Sequence, residues 1–524
     1  MTANLSQPRQ RPKVAPHTLF PSADAVGSYP VAAIDLGSNS FRLEVGQVSG
    51  GRYLRTSYLK ETVRQGGGLD ANRCLTPEAM KAGLDCLSRF AERLRDFDPS
   101  NVRAVATQTL REARNREEFI QEASRVLGFP IEIISGREEA RLIYLGVSSK
   151  LALAQEKRLV IDIGGRSTEL ILGSGPDVIH LESYRVGSVT WSQRYFTDGQ
   201  FTHGAFELGK ISASAIFDEV VELFADGDWE VAYGSAGTIG AIALALEIAG
   251  WPAGQITRDG LDWLVEQLLQ AGSADQLQIQ GISEERTSII GGGVSVLLAL
   301  FDLLGFDALQ VAEGGLRHGL LQEMLGAETP NGDQRDASVR ALSTLYGQDA
   351  AQSERVARTA TFLFDQVQAK FPELPDSPLA RRQLGWAASL HEIGIRVSHS
   401  DYHRHGAYLV ENADALGFTF SDLRYLGLLI LGQKGKLRKL GDALNNPETA
   451  LQLLCLRLAV ILCHARRVPD IDSLHLARPD TNAWQFLLQG DRRWAEQHPQ
   501  SVYLLNEEVK AWGRTEWDFQ INFL

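Results

Sequence analysis

The chain has 524 residues, more than one hydrophobic core supports, and at about 150 residues per domain it predicts roughly three or four folded units. Hydrophobic residues at 44% and charged residues at 22% sit at the globular average and exclude a fibrous or wholly disordered chain. With 52 Lys and Arg against 65 Asp and Glu the net charge is −13, so bulk electrostatics do not recruit nucleic acid and any anion site is local.

Residues 1–30 carry Pro8, Pro12, Pro16, Pro21 and Pro30 with Arg9, Arg11 and Lys13, and read as a flexible tail with no signal-peptide apolar core. From Val31 an apolar strand ends in Asp35, a small-residue turn (Gly37, Ser38, Asn39, Ser40) follows, and Phe41–Val45 alternates as a partner strand. The pattern returns at Leu159–Ile163, where Asp162 ends a strand before the turn Gly164, Gly165, Arg166, Ser167, Thr168. Two copies predict a duplicated α/β unit facing itself across a cleft. Between them, helices Pro77–Leu94 and Arg116–Leu127 alternate with strands Val102–Ala106 and Ile131–Ile134.

A third small-residue turn, Gly234–Thr238, follows the strand Trp229–Tyr233 and opens the helix Ile239–Ile248, placing Gly237 and Thr238 where a helix N-terminus greets an anion. The apolar stretch Val294–Phe306 is broken by Asp302 and falls short of the roughly 20 residues of a membrane span. After about Gly326 the apolar period turns helical at Ala357–Val367, Gln383–Leu390 and Leu451–Ile461, and from Val468 strand-like pieces (Trp484–Leu488, Phe519–Phe523) mix with a helix at Val502–Trp512. The expected units are 1–30, 31–142, 143–326, 327–467 and 468–524: tail, two α/β domains, a helical domain and a small α+β C-terminal cap. Cys74, Cys86, Cys455 and Cys463 show no paired C-x-x-C spacing, which fits a reducing cytoplasm.

Turns without large side chains let backbone amides converge on phosphate oxygens, with Ser and Thr hydroxyls and Asn39 adding donors. Asp35 and Asp162 would point into one cleft, where carboxylates beside phosphate cradles hold Mg²⁺. Thr107–Arg114 puts Arg111 at the mouth of a helix, placed to grip phosphate bidentately, and Glu138 and Glu139 fall in the first turn of the helix after Ile133–Gly136.

In this order, Asp-Leu-Gly-Ser-Asn-Ser-Phe-Arg, Thr-x-Thr-Leu-Arg, Ile-Ser-Gly-x-Glu-Glu-Ala-Arg-Leu, Val-Ile-Asp-Ile-Gly-Gly-x-Ser-Thr-Glu-Leu and Gly-Ser-Ala-Gly-Thr resemble the exopolyphosphatase/guanosine pentaphosphate phosphohydrolase (Ppx/GppA) family over about Val31 to Gly326. The family belongs to the actin-like ATPase (ribonuclease H-like) superfamily, and Ala388–Gly394 and His399–Leu409 extend the likeness to its long bacterial exopolyphosphatases. The resemblance implies Mg²⁺-dependent release of the terminal phosphate of inorganic polyphosphate, with Glu139 as catalytic base and Glu169 as second catalytic carboxylate. It puts Asp162, Asp35 and Glu169 around the metal, and Ser38, Asn39, Ser40, Arg42, Arg111, Gly164, Gly165, Arg166, Ser167, Thr168, Gly237 and Thr238 on the substrate. It also implies a homodimer. The alternative is hydrolysis of guanosine pentaphosphate to the tetraphosphate; a catalytically silent sensor and an ATP-dependent kinase are further readings. Peripheral membrane association stays open.

Two departures stand out. Arg166 replaces a glycine, and in a left-handed conformation it would cost roughly one or two kcal/mol, unless its guanidinium reaches an inner phosphate. His391-Glu392 replaces the His-Asp doublet of HD phosphohydrolases, with no histidine between His318 and His391 to complete a metal site, so the helical domain reads as degenerate HD-like. His399, His403, Arg404, His405, Lys434, Lys436, Arg438 and Lys439 read as a basic surface for a polyanion.

Overall fold

The computed structural model describes residues 28–49, 52–151, 156–224, 229–325, 333–368, 378–479 and 485–524. Residues 1–27 of the expected tail, Trp484 and the expected boundary at 326/327 lie outside them, whereas Tyr29 and Pro30, assigned to that tail, begin the first strand because the apolar run they lead into pairs as one ladder.

Two mixed sheets share one plan. In the first, β1 (Tyr29–Leu36), β2 (Ser40–Ser49), β3 (Arg52–Thr62), β4 (Val102–Ala106) and β5 (Ile131–Ile133) run in the order β3-β2-β1-β4-β5. In the second, β6 (Lys157–Ile163), β7 (Thr168–Ser174), β8 (Asp177–Tyr184), β9 (Val231–Ser235), β10 (Gln255–Thr257) and β11 (Ala308–Val311) run β10-β11-β9-β6-β7-β8. In each, an antiparallel hairpin ladder is followed by parallel strands, so β1 and β6 hold equivalent central positions. Central strands covered on both faces read as unbroken apolar runs, which is why Ala32–Ile34 and Leu159–Ile161 are buried. The helices Pro77–Leu94 and Arg116–Leu127, their bounds as read from the sequence, close the first sheet's core around Phe90 and Phe119.

Helix Gly136–Ser148 runs unbroken through the boundary expected at 142/143. Its Gly146 meets the carbonyl of Gly315, and Gly319 of helix Leu316–Met324 meets the carbonyl of Leu142, so the two helices cross where no side chain fits. Helix Glu284–Leu304 is longer than the apolar stretch suggested, with length and composition enough for a membrane span, yet 72% of its apolar window is buried inside the protein.

Helices Gln334–Leu345, Ala350–Gln368, Pro378–Ser389, Tyr402–Glu411, Phe420–Gly432 and Pro447–Leu462 form the third region. The last sheet, β12 (His475–Ala477), β13 (Gln485–Gly490) and β14 (Asp518–Phe523), places Leu476, Phe486 and Phe519 in the same hydrophobic core as Phe364 and Leu454, so 468–524 packs as part of the helical region's core.

Candidate active site

The equivalent turns after β1 and β6 face each other. A Cβ on Gly165 would stand 3.2 Å from the Ser38 side chain, so the two loops nearly touch. The third turn leads into helix Ala236–Ile248 at the same place. Ala236 has φ +70°, a left-handed conformation costing a non-glycine residue about 1–2 kcal/mol, a strain that concentrates at functional loops. Between the turns lies a cleft of about 320 Å³.

Of the sequence-derived site, Asp35, Ser38, Asn39, Ser40, Arg42, Glu139, Asp162, Gly164, Gly165, Ser167, Gly237 and Thr238 line this cleft. Thr168 does not: it is fully buried, and its hydroxyl donates to the Val186 carbonyl at 2.6 Å because it points to the core face of β7. Arg166 is also outside the cleft. Its backbone has no positive φ, so the expected strain is absent, and its guanidinium turns to the other lobe, donating to the Gly66 carbonyl at 2.7 Å and to Glu112 at 2.6 Å. An inner-phosphate contact is therefore not its role in this geometry. Arg111 stands in the last turn of the short helix Gln108–Glu112, behind the cleft wall, with Nη1 on Glu139 at 2.7 Å and Nη2 buried without a partner.

Glu139 owes its position to Ser135, whose side chain accepts from the Glu138 amide and starts helix Gly136–Ser148 beside the cleft. Burial pushes the Glu139 pKa up to about 7, against the lowering pull of Arg111 and with repulsion from Asp35 and Asp162. Burial likewise raises Asp162 to about 6, despite a hydrogen bond from Ser235 at 2.5 Å. Glu169, beneath the surface and bonded by Ser183 at 2.8 Å, is raised well above the carboxylate range by burial, then by Glu139 and Asp162. Asp35 is raised by burial and drawn back by Arg42 and Arg317. Several buried carboxylates held against one another are what a hard cation relieves.

Among the described residues no three carboxylate, histidine or cysteine side chains form a ready-made metal cage. Mg²⁺ commonly takes one or two carboxylates and fills its shell with water and substrate phosphate. The all-oxygen donors Asp35 and Asp162, both in the cleft wall, fit that demand; Glu169 lies behind them.

Beyond Arg42, sequence reading missed the cations of the cleft and its aromatic edge. Arg286, half-buried at the start of helix Glu284–Leu304, lies against Gly237, and burial and the neighbouring Arg42 push its pKa down. Lys60 is lowered likewise by burial, Arg286 and Arg42. Arg317 lies 4.0 Å from Asp35, with its guanidinium carbon 5.0 Å from the centre of the Tyr58 ring. Crowded cations with like-charge repulsion make a waiting anion site. Arg286 belongs to no glycine-rich turn, so no local signal marked it; Arg317 follows the Gly314-Gly315 turn that opens its helix, a signal the sequence did offer.

In the helical region, the His391 ring Nδ1 lies 2.8 Å from the Ala388 carbonyl, and Glu392 pairs with Arg466. His403 is not part of an open basic surface: it is buried, and burial with nearby Lys439 lowers it to about 4. Lys439 is itself lowered to about 8, by burial and then Arg457 and Arg404.

Two facing lobes with small-residue phosphate turns, cations and a buried carboxylate with raised pKa define a phosphoryl-transferring hydrolase cleft. Residues 48–328 match the Ppx/GppA phosphatase family and residues 334–509 match domain III of the Ppx/GppA phosphatases. The chain belongs to the Ppx/GppA phosphatase family, hydrolases of phosphoanhydride bonds on an actin-like fold. It is 36% identical over 501 residues, 95% of this chain and 99% of the relative, to the guanosine-5'-triphosphate,3'-diphosphate pyrophosphatase of Vibrio cholerae. Among solved structures it is similar to an exopolyphosphatase from Cytophaga hutchinsonii, with TM-score 0.53 and 22% identity, covering 57% of this chain and 98% of that one. An exopolyphosphatase-like protein matches at TM-score 0.50 and 25% identity, over 57% of this chain and 98% of that one.

Proposed function

We propose that this chain removes the terminal 5′-phosphate of guanosine 5′-triphosphate 3′-diphosphate, yielding the tetraphosphate and orthophosphate. One observation carries this reading: the phosphate donors of the cleft run directly to Tyr58, 43% exposed and flanked by Arg317, an aromatic edge suited to a nucleoside base. The full-length similarity to the Vibrio cholerae pyrophosphatase supports the same order, which reverses the sequence-based preference for polyphosphate. Inorganic polyphosphate is the second reading, favoured by the crowding of Arg42, Lys60 and Arg286, which asks for phosphate and no nucleoside.

In either case loop amides, Ser38, Ser167 and Thr238 hold the phosphates. Deprotonated Glu139 takes the proton of the attacking water as its oxygen bonds to the terminal phosphorus and the bridging P–O bond breaks. Asp35 and Asp162 would hold Mg²⁺, which supplies neutralisation of charge when bound. Positioning and charge compensation then contribute most of the acceleration. The same reading takes 327–467 as a degenerate HD-like domain, with the C-terminal sheet sharing its core, and the working form as a cytoplasmic homodimer. The test is phosphate release with Mg²⁺ from guanosine 5′-triphosphate 3′-diphosphate and long-chain polyphosphate in parallel, beside Glu139→Gln. A higher kcat/KM on the nucleotide supports the first reading, a higher value on polyphosphate overturns it in favour of the second, and release from neither overturns both.

A further inference from the structure

Five side chains form one unbroken run of hydrogen bonds from the second phosphate loop to the general base. Arg166 Nη2 donates to Glu112 Oε2 at 2.6 Å, and Gln108 Nε2 donates to Glu112 Oε1 at 2.5 Å. Arg111 Nε donates to Gln108 Oε1 at 2.8 Å, and Arg111 Nη1 donates to Glu139 Oε2 at 2.7 Å. Gln108, Arg111 and Glu112 stand at i, i+3 and i+4 on one short helix, the spacing at which side chains meet. Arg166 enters from the opposite lobe.

The run has a fixed direction. Charge alternates along it, and the Gln108 amide satisfies both neighbours only with its NH₂ toward Glu112 and its carbonyl toward Arg111. Every link has an ionised partner, which makes it short and roughly twice as strong as a neutral bond. Arg166 and Glu112 side chains are 14% and 12% exposed, and Arg111 and Glu139 each 10%, so water competes little.

We propose that Gln108 and Glu112 are positioning residues for the hydrolytic site, with Arg166 their anchor in the other lobe. The bond at Nε, together with a second donation from Nη1 to the Ile134 carbonyl at 3.1 Å, fixes the plane of the Arg111 guanidinium, so that Nη1 orients Glu139 while the buried Nη2 stays unpartnered. Alignment of the base is thereby tied to the seating of the two lobes against each other. The proposal rests on Glu139 being the base.

The test uses the full-length protein with Gln108→Met, Glu112→Gln and Arg166→Lys, alone and in an Arg111→Ala background, with phosphate release as the readout. Gln108→Met and Glu112→Gln should lower kcat by about tenfold or more with KM changed less than about threefold. Beside Arg111→Ala the same changes should cost less than about twofold, because they act through Arg111. Arg166→Lys should keep most of the activity that Arg166→Ala loses. Equal losses in both backgrounds, or changes in KM alone, overturn the proposal. Thermal melting checks that each variant folds, and the ¹⁵N resonance of the Arg111 Nε–H reads the run without turnover. It should exchange slowly in the wild type and fast in Gln108→Met; unchanged exchange overturns the proposal. A wild type that releases no phosphate defeats the hydrolytic reading instead, and with it the role assigned to Gln108 and Glu112.

Discussion

Glu169 stands directly across the β6–β7 ladder from Asp162. At the equivalent place in the first lobe Arg42 stands across from Asp35, so duplication has produced one acid–acid pair and one acid–base pair. Cross-strand neighbours share a face at close range, where like charges repel. Burial raises all three carboxylates; Glu169 is pushed further by Glu139 and Asp162, while Arg42 draws Asp35 back.

Glu139→Gln should fold normally and lose about 10²–10⁴ in kcat, the usual contribution of a positioned general base. Steady-state phosphate release with a melting curve alongside checks both halves; a variant that turns over at the wild-type rate removes Glu139 from the mechanism.

The pH dependence has a definite sign. As the proposed base Glu139 would work deprotonated, and burial holds it up at about 7, so activity should rise with pH through that region. Arg111 lowers this pKa, and Arg111→Ala should move the acid limb of kcat/KM to higher pH as well as reduce its height. A limb that stays put or moves down contradicts the pairing.

Chelation by EDTA should abolish turnover, with recovery on adding Mg²⁺. Asp162→Asn removes one of the two carboxylates in the cleft wall suited to the ion, and should raise the Mg²⁺ concentration needed for half-maximal activity. Titration of activity against Mg²⁺ measures it.

Tyr58→Ala should separate the two substrates. Base–aromatic stacking is worth about 1–3 kcal/mol, so KM for the guanosine substrate should rise roughly 5- to 150-fold while that for polyphosphate barely changes. Parallel changes on both substrates would deny Tyr58 a role in base recognition.

Gly319→Ala should cost stability, by about 1–3 kcal/mol, because its Cβ would meet the Leu142 backbone where two helices cross. Denaturant midpoints read this directly. Since the crossing joins the two helices that carry Glu139 and Arg317 to the cleft wall, activity should fall beyond the loss of folded protein.

Much of the fold was legible locally. An apolar run ending in Asp and a small-residue turn is self-announcing, and its second appearance predicted the shared plan of the two sheets. Pro77–Leu94, with Thr76 capping and Pro77 opening it, carries its boundaries in its own residues. The limits of Gly136–Ser148 were less visible, since glycines at 146, 315 and 319 matter only once their helices cross.

The sequence by itself determined where the candidate groups stand locally: Asp35 and Asp162 at strand ends, Glu139 in a first helical turn, and small residues in the turns between. Those are properties of a short stretch of backbone. Only the tertiary structure decided which way long side chains reach. Arg166, read as a phosphate ligand, turns to Glu112; Arg111 spends a nitrogen on Glu139; Arg286, Arg317 and Tyr58, far apart in the chain, complete the cleft. A guanidinium on a long flexible stem goes to whatever charge and space the fold leaves beside it, and that is a property of the whole molecule.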